Sequence, residues 1–177
     1  ISGGPQGAAA GTLAIMCGGA PEAFARARGV LEAISPKVVY CGGTGNGHAA
    51  KLVNNAVAAM CRMISYECIA AGFKHGLRMA DMAAVLNESS GWSTAGRRVF
   101  ELLLTGRGAN AALWLPVKDM KLAAALAVEC GAPLTLANTA RTLMEAAFND
   151  LGSAAGTNDL PRFYERLAGI RFDPVAA

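Results

Sequence analysis

A mainly α protein, a helical bundle around one long central helix preceded by a short α/β segment, is the fold class this sequence predicts. Three observations carry it. The first 44 residues read strand, helix, strand, and every later periodic segment is helical. The first of those later segments, from about Gly47 to Lys74, is apolar nearly all round and would be about 40 Å long at the usual helical rise.

In chain order, Ser2 to Gly7 reads as a Gly/Pro turn. Thr12 to Cys17 is a short, partly β-branched apolar run stopped by Gly18-Gly19, too brief for a helix, and is expected as a strand. Pro21 suits a first helical turn, and Phe24, Ala27, Val30, Leu31 and Ile34 recur at helical spacing until Ser35-Pro36. Lys37 to Cys41 is the second strand, closed by Gly42-Gly43. The long helix from Gly47 is expected as the buried spine of its domain. Shorter helices follow at about Met79–Asn87, Thr94–Leu104, Val117–Cys130, Leu134–Asp150 and Asp159–Leu167, separated by Gly, Ser, Asn and Pro.

Composition narrows the function. Of the 177 residues, 53% are hydrophobic and 16% charged, and the net charge of +3 is scattered as single Lys and Arg, so no basic face for nucleic acid is expected. Arg62, Glu67, Lys74 and Lys121 interrupt the apolar windows, so neither a membrane span nor a membrane partner is expected. The five cysteines are odd in number and contain no C-x-x-C pair, which reads as reduced thiols in a cytoplasmic protein. No metal-ligand set is expected. The chain opens on Ile1, with residues that read as the end of a strand, and a piece of a longer protein is expected.

Chemistry concentrates between Gly43 and Asn55. The glycine loop fails the dinucleotide fingerprint G-x-G-x-x-G, since a match begun at Gly43 requires glycine where His48 stands and no acidic residue follows about 20 positions on. It contains no P-loop either. Lys51, Asn54 and Asn55 stand at i, i+3 and i+4 on one helix face. Lys51 either snorkels to water, or is held among Ala and Leu, where desolvation favours the neutral amine that can exchange a proton with a substrate hydroxyl. Ser2-Gly3-Gly4-Pro5 is either a plain turn or a backbone cradle for a carboxylate. Lys118, expected at the start of a helix after Pro116, is a cation at a positive helix end, which hints at an anionic or polar ligand.

Taken in order, these segments resemble the β-hydroxyacid dehydrogenase family, which includes 3-hydroxyisobutyrate dehydrogenase and tartronate semialdehyde reductase. Ser2 to Leu13 resembles its substrate-binding motif, Gly47-x-x-x-Lys51-x-x-Asn54 its catalytic motif, and Lys118-Asp119 its cofactor-side Lys-Asp motif. The resemblance covers essentially the whole chain and the later part of a family member. It implies a remnant of the NAD(P)-binding Rossmann domain over 1–44 and an all-α substrate and oligomerisation domain, like the C-terminal domain of 6-phosphogluconate dehydrogenase, over 45–177.

The same resemblance implies roles. Lys51 is the general acid/base, Asn54 (with Asn55 as a possible substitute) holds the substrate oxygen, Ser2, Gly3 and Gly4 grip the substrate carboxylate, and Lys118 contacts NAD or NADP near its nicotinamide ribose. The implied substrate is a small 3-hydroxy acid, and the implied assembly a homo-dimer or homo-tetramer through the helical domain. Ser89-Ser90-Gly91-Trp92-Ser93 resembles a family segment near the pocket, and Trp92 is read either as lining it or, preferably, as a core aromatic. The alternative function is a catalytically silent helical oligomerisation or binding module.

Overall fold

The computed structural model describes residues 1–173, so residues 174–177 of the expected 45–177 domain lie outside the described residues. The chain divides into two compact units, one of Ile1–Asn55 and one beginning at Ala56.

In the first unit, β1 (Ala14–Cys17) and β2 (Lys37–Tyr40) pair in parallel, from Ala14 opposite Lys37 to Cys17 opposite Tyr40, with α2 (Pro21–Ile34) as the crossover between them. The Phe24 ring stacks on Tyr40 at 4.7 Å. Ser35, 1% exposed, ends α2 and donates its hydroxyl to Leu13 O, tying the crossover to the start of β1. The apolar residues of α2 recur at helical spacing, yet no residue of this helix is fully buried, and Val30 and Ile34 are exposed. The expected turn at Ser2–Gly7 is instead a short helix, α1 (Gly4–Ala9). Pro5 needs no helical N–H partner in the first turn, and the alanines that follow favour the helix.

Helix α3 (Asn46–His75) runs through the division between the units. In the second unit it is followed by α4 (Met79–Glu88), α5 (Thr94–Thr105), α6 (Trp114–Glu129), α7 (Thr135–Leu151), a 3₁₀ turn (Thr157–Asp159) and α8 (Leu160–Ala168). Its core gathers Met63, Tyr66, Ile69, Met79, Leu113, Met120, Met144, Leu160 and Tyr164, each at most 2% exposed. Tyr66 stacks on Tyr164 at 4.9 Å, and the Tyr164 hydroxyl donates to Met63 Sδ at 3.5 Å. Burial raises both phenols above their ordinary titration range.

Two expectations about α3 require correction. It is not a buried spine: Ala59, Met63, Tyr66 and Ile69 face the core, while Val57 and Ile64 are more than half exposed. It is also long and apolar enough, by length and composition, to cross a membrane, with a mean hydropathy of 1.3 over its most apolar window. Its charges are spaced too widely to break that window.

Helix α6 starts at Trp114 rather than Val117, because a proline is tolerated within the first turn. The segment before it is pinned to the 3₁₀ region, with Leu113 N–H donating to Ala155 O at 2.9 Å and Thr157 N–H to Ala111 O at 2.8 Å. Trp92 is 56% exposed, so the preferred core reading fails, and its backbone N–H turns back to Ser89 O within a loop.

Candidate active site

The first unit builds its site from backbone contact. Where β1 ends, Gly18 lies against the start of α3, so that a Cβ at Gly47 would stand 2.6 Å from Met16 O and one at Gly18 would stand 2.6 Å from Gly43 O. Real Cβ atoms do not approach so closely, and both positions require glycine for contact rather than for φ. The loop between β2 and α3 is closed by Gly19 N–H donating to Gly42 O at 2.8 Å and by Asn46 Nδ2 donating to Cys41 O at 2.8 Å. Gly42 and Gly45 supply the left-handed φ values of 89° and 91° that the turn needs.

Lys51 stands one turn beyond Gly47, on the face of α3 that Gly47 presses against β1. It is half-buried and lines a hollow of about 420 Å³ together with Met16, Cys17, Phe24, Gly47 and His48. The four-residue spacing from glycine to lysine is thus the pitch of one helical turn. Of the residues lining the hollow, Met16, Cys17, Phe24 and His48 were not singled out from sequence. The signal lay in the glycines that end β1 and open α3, read there only as element stops.

The other expected site residues are placed less directly. Asn54 is exposed and donates from Nδ2 to Asn55 Oδ1 at 3.0 Å, so the two amides are joined to each other. Neither lines the hollow. Ser2 is half-buried and bridges Ala14 in both directions at 2.8 Å, so its N–H cannot also bind a carboxylate; its hydroxyl and the Gly3 and Gly4 backbone are what remain of the expected cradle. Gly3 and Gly4 have φ of 132° and 62° and likewise lie outside the hollow's lining.

In the second unit, Lys118 lies in the second turn of α6, and its ammonium pairs with Asp119 Oδ1 at 2.9 Å. The expected cation at a bare helix end is therefore corrected: the helix starts earlier, and a carboxylate already compensates the charge.

A hollow of this volume admits a nicotinamide ring and a short acid beside Lys51, but not a whole dinucleotide. The remainder of such a cofactor needs a phosphate-binding glycine turn, and the G-x-G-x-x-G pattern fails at the loop before α3. No cluster of three potential metal ligands occurs among the described residues.

Comparison with known proteins gives matches over nearly the whole chain. Residues 45–164 match the family model described as the NAD-binding domain of NADP-dependent 3-hydroxyisobutyrate dehydrogenase, and residues 1–43 match the NAD binding domain of 6-phosphogluconate dehydrogenase. A probable mitochondrial 3-hydroxyisobutyrate dehydrogenase of Arabidopsis thaliana is 39% identical over 139 residues, covering 74% of this chain and 40% of that protein. A 2-(hydroxymethyl)glutarate dehydrogenase of Eubacterium barkeri is 36% identical over 176 residues, covering 96% of this chain and 57% of that protein. Among solved structures, Mycobacterium tuberculosis 3-hydroxyisobutyrate dehydrogenase with L-serine superposes with a TM-score of 0.72 at 30% identity, covering 86% of this chain and 55% of that one. The chain spans about half the length of the curated relatives it matches.

Proposed function

This chain belongs to the β-hydroxyacid dehydrogenase family, and we propose that it supplies the substrate-handling and proton-transfer part of an NAD(P)-dependent oxidoreductase that interconverts a short 3-hydroxy acid and its semialdehyde or oxo acid. The observation that carries the reading is Lys51, half-buried in the hollow at the start of α3 and aimed by the Gly18–Gly47 contact.

A bound NAD or NADP would supply the acceptor for the hydride that leaves the carbon carrying the hydroxyl. Lys51 accepts the hydroxyl proton as that carbon is oxidised and returns it in the reverse direction. Asn54, joined to Asn55, holds the substrate oxygen and orients the amine. The Ser2 hydroxyl and the Gly3 and Gly4 backbone bind the substrate carboxylate, and Lys118 contacts the cofactor near its nicotinamide ribose. Both the L-serine of the mycobacterial structure and the hydroxymethylglutarate of the Eubacterium relative's name are 3-hydroxy acids, which supports the substrate class.

The relatives' additional length supports a longer active form, in which a preceding nucleotide-binding region completes the cofactor site and without which the 177-residue chain is inactive. The helical unit serves homo-dimer or homo-tetramer formation. Five free thiols suit a reducing, cytoplasmic setting. The exposed Val57 and Ile64 of α3 also favour a second reading, a silent oligomerisation module.

Joining the chain to the nucleotide-binding region of its Eubacterium relative separates the two readings. The joined protein is expected to reduce NAD or NADP with a short 3-hydroxy acid, and Lys51→Ala to lower kcat about 10²–10⁴-fold with folding retained. Full activity in the Lys51 variant, or none in the parent, overturns the catalytic reading.

A further inference from the structure

A short acid held only at Lys51 would be free to turn about its hydroxyl, so orienting it takes a second polar contact. The hollow offers few. Met16, Phe24, Ala27 and Leu31 make its wall apolar, and Ser2, Gly3, Gly4 and Asn54 stand outside its lining. The Gly19 N–H, on the same wall, is already given to Gly42 O. Among the described side chains that line the hollow, only those of Lys51 and His48 carry nitrogen.

The backbone contact that aims Lys51 also fixes His48. It follows Gly47 directly, and a Cβ on Gly47 would stand 2.6 Å from Met16 O, so the first turn of α3 is held against the end of β1. His48 and Lys51 stand at i and i+3, which in a regular helix puts their Cβ atoms about 5–6 Å apart, and both border the hollow. They differ in depth: Lys51 is half-buried and His48 exposed, so the imidazole stands at the rim. A carboxylate loses much on entering an apolar pocket and far less where it keeps water on one side. The hydroxyl of a 3-hydroxy acid therefore goes in toward Lys51, while its carboxylate, separated from the hydroxyl-bearing carbon by one carbon, stays at the rim beside His48. The His48 ring makes no hydrogen bond or ion pair with another described residue, and an imidazole, neutral or charged, always has an N–H to donate.

We propose that His48 is a substrate-binding residue, donating a ring N–H to the carboxylate of the 3-hydroxy acid whose hydroxyl meets Lys51. A carboxylate accepts about four hydrogen bonds, so His48 adds to the contacts of Ser2 to Gly4 and replaces none. The identity of the ligand rests on the dehydrogenase reading; the contact itself needs only the hollow.

The chain holds two histidines, His48 and His75, and the second is exposed near the other end of α3. In ring carbon–proton NMR spectra of the 177-residue chain at fixed pH and ionic strength, added 3-hydroxypropanoate is expected to shift the His48 resonance saturably and leave His75 in place. Equal shifts of both, or none, overturn the contact. Kinetics of the chain joined to the nucleotide-binding region of its Eubacterium relative distinguish binding from structural support. There Ile1, which also borders the hollow, carries no free amine to compete for the acid. His48→Leu, at an exposed position, is expected to raise KM for 3-hydroxypropanoate about 10- to 100-fold, as the loss of a hydrogen bond to a charged group implies, with kcat little changed. The KM for the neutral methyl ester of the same acid stays as it was, and His48→Gln, which keeps an N–H donor, recovers most of the loss. An equal loss for acid and ester, or no loss for either, overturns the role. If the joined protein is inactive while the acid still shifts His48 alone, the dehydrogenase reading falls and the carboxylate contact stands.

Discussion

At Gly47 a single methyl group has nowhere to go. Met16 O lies 2.6 Å from where it would sit, and the obstacle is backbone rather than a side chain that can turn aside. Gly47→Ala is therefore expected to destabilise the first unit by about 1–3 kcal/mol, read as a lower denaturant midpoint, while Gly29→Ala, at a helical glycine with open space around it, does not. An unchanged midpoint for Gly47→Ala would mean that β1 and α3 do not touch. A second residue-scale expectation concerns Asp81, whose carboxylate accepts two hydrogen bonds from Arg78, at 2.7 and 2.8 Å. The hydrogen bonding, despite an opposing desolvation, holds the carboxyl below its ordinary 3.8. Any contribution to stability is then complete above that value and disappears as pH falls through the depressed one. Asp81→Asn should remove that acid-side dependence from the unfolding midpoint, and an unaltered pH profile would show that the exposed pair contributes nothing measurable. Lys51 was legible at this scale because an ammonium among alanines and leucines demands a reason. The hollow around it was not, since Met16, Cys17 and Phe24 look from sequence like ordinary apolar residues of a strand and a helix.

Among the elements, α5 has the most explicit start. Ser93 Oγ accepts the Gly96 N–H at 2.9 Å, and Gly106, with φ of 66°, ends the helix. Ser93→Ala should cost about 1 kcal/mol, seen in equilibrium unfolding, and Ser93→Asp should recover most of it. A neutral Ser93→Ala would deny the cap its role. Here sequence reading succeeded for the long helices, whose apolar positions recur over several turns, and for both strands, each of which a pair of glycines closes. It failed at α1 and at the start of α6. In both places a proline sits inside a first turn, and its lack of an N–H, usually a mark of chain reversal, is harmless there.

The whole molecule leaves much apolar surface uncovered. Val57 and Ile64 on α3, Val85 on α4 and Trp92 in the following loop are each more than half exposed. The chain is accordingly expected to associate, with sedimentation velocity reporting a dimer or larger, and Ile64→Lys to shift the population toward monomer. A monomeric parent at tens of micromolar would argue that these faces need no cover. The same surface explains a limit of sequence reading: an apolar helix announces that it must be covered but not by what, and α3 was therefore expected to be buried within its own chain.

The Gly18–Gly47 contact leads to one more consequence. Because it joins backbone to backbone, no rotamer change can retune it, and the direction of the Lys51 side chain is set by counting residues along a rigid screw. Inserting one alanine between Gly47 and Lys51 would swing the amine about 100° around the helix without altering a single side chain nearby. An insertion four residues long would nearly restore the bearing but carry the amine about 6 Å along the axis. Tolerance of this segment to substitution and its tolerance to changes in length should therefore be quite different, and the difference is a property of helical pitch alone.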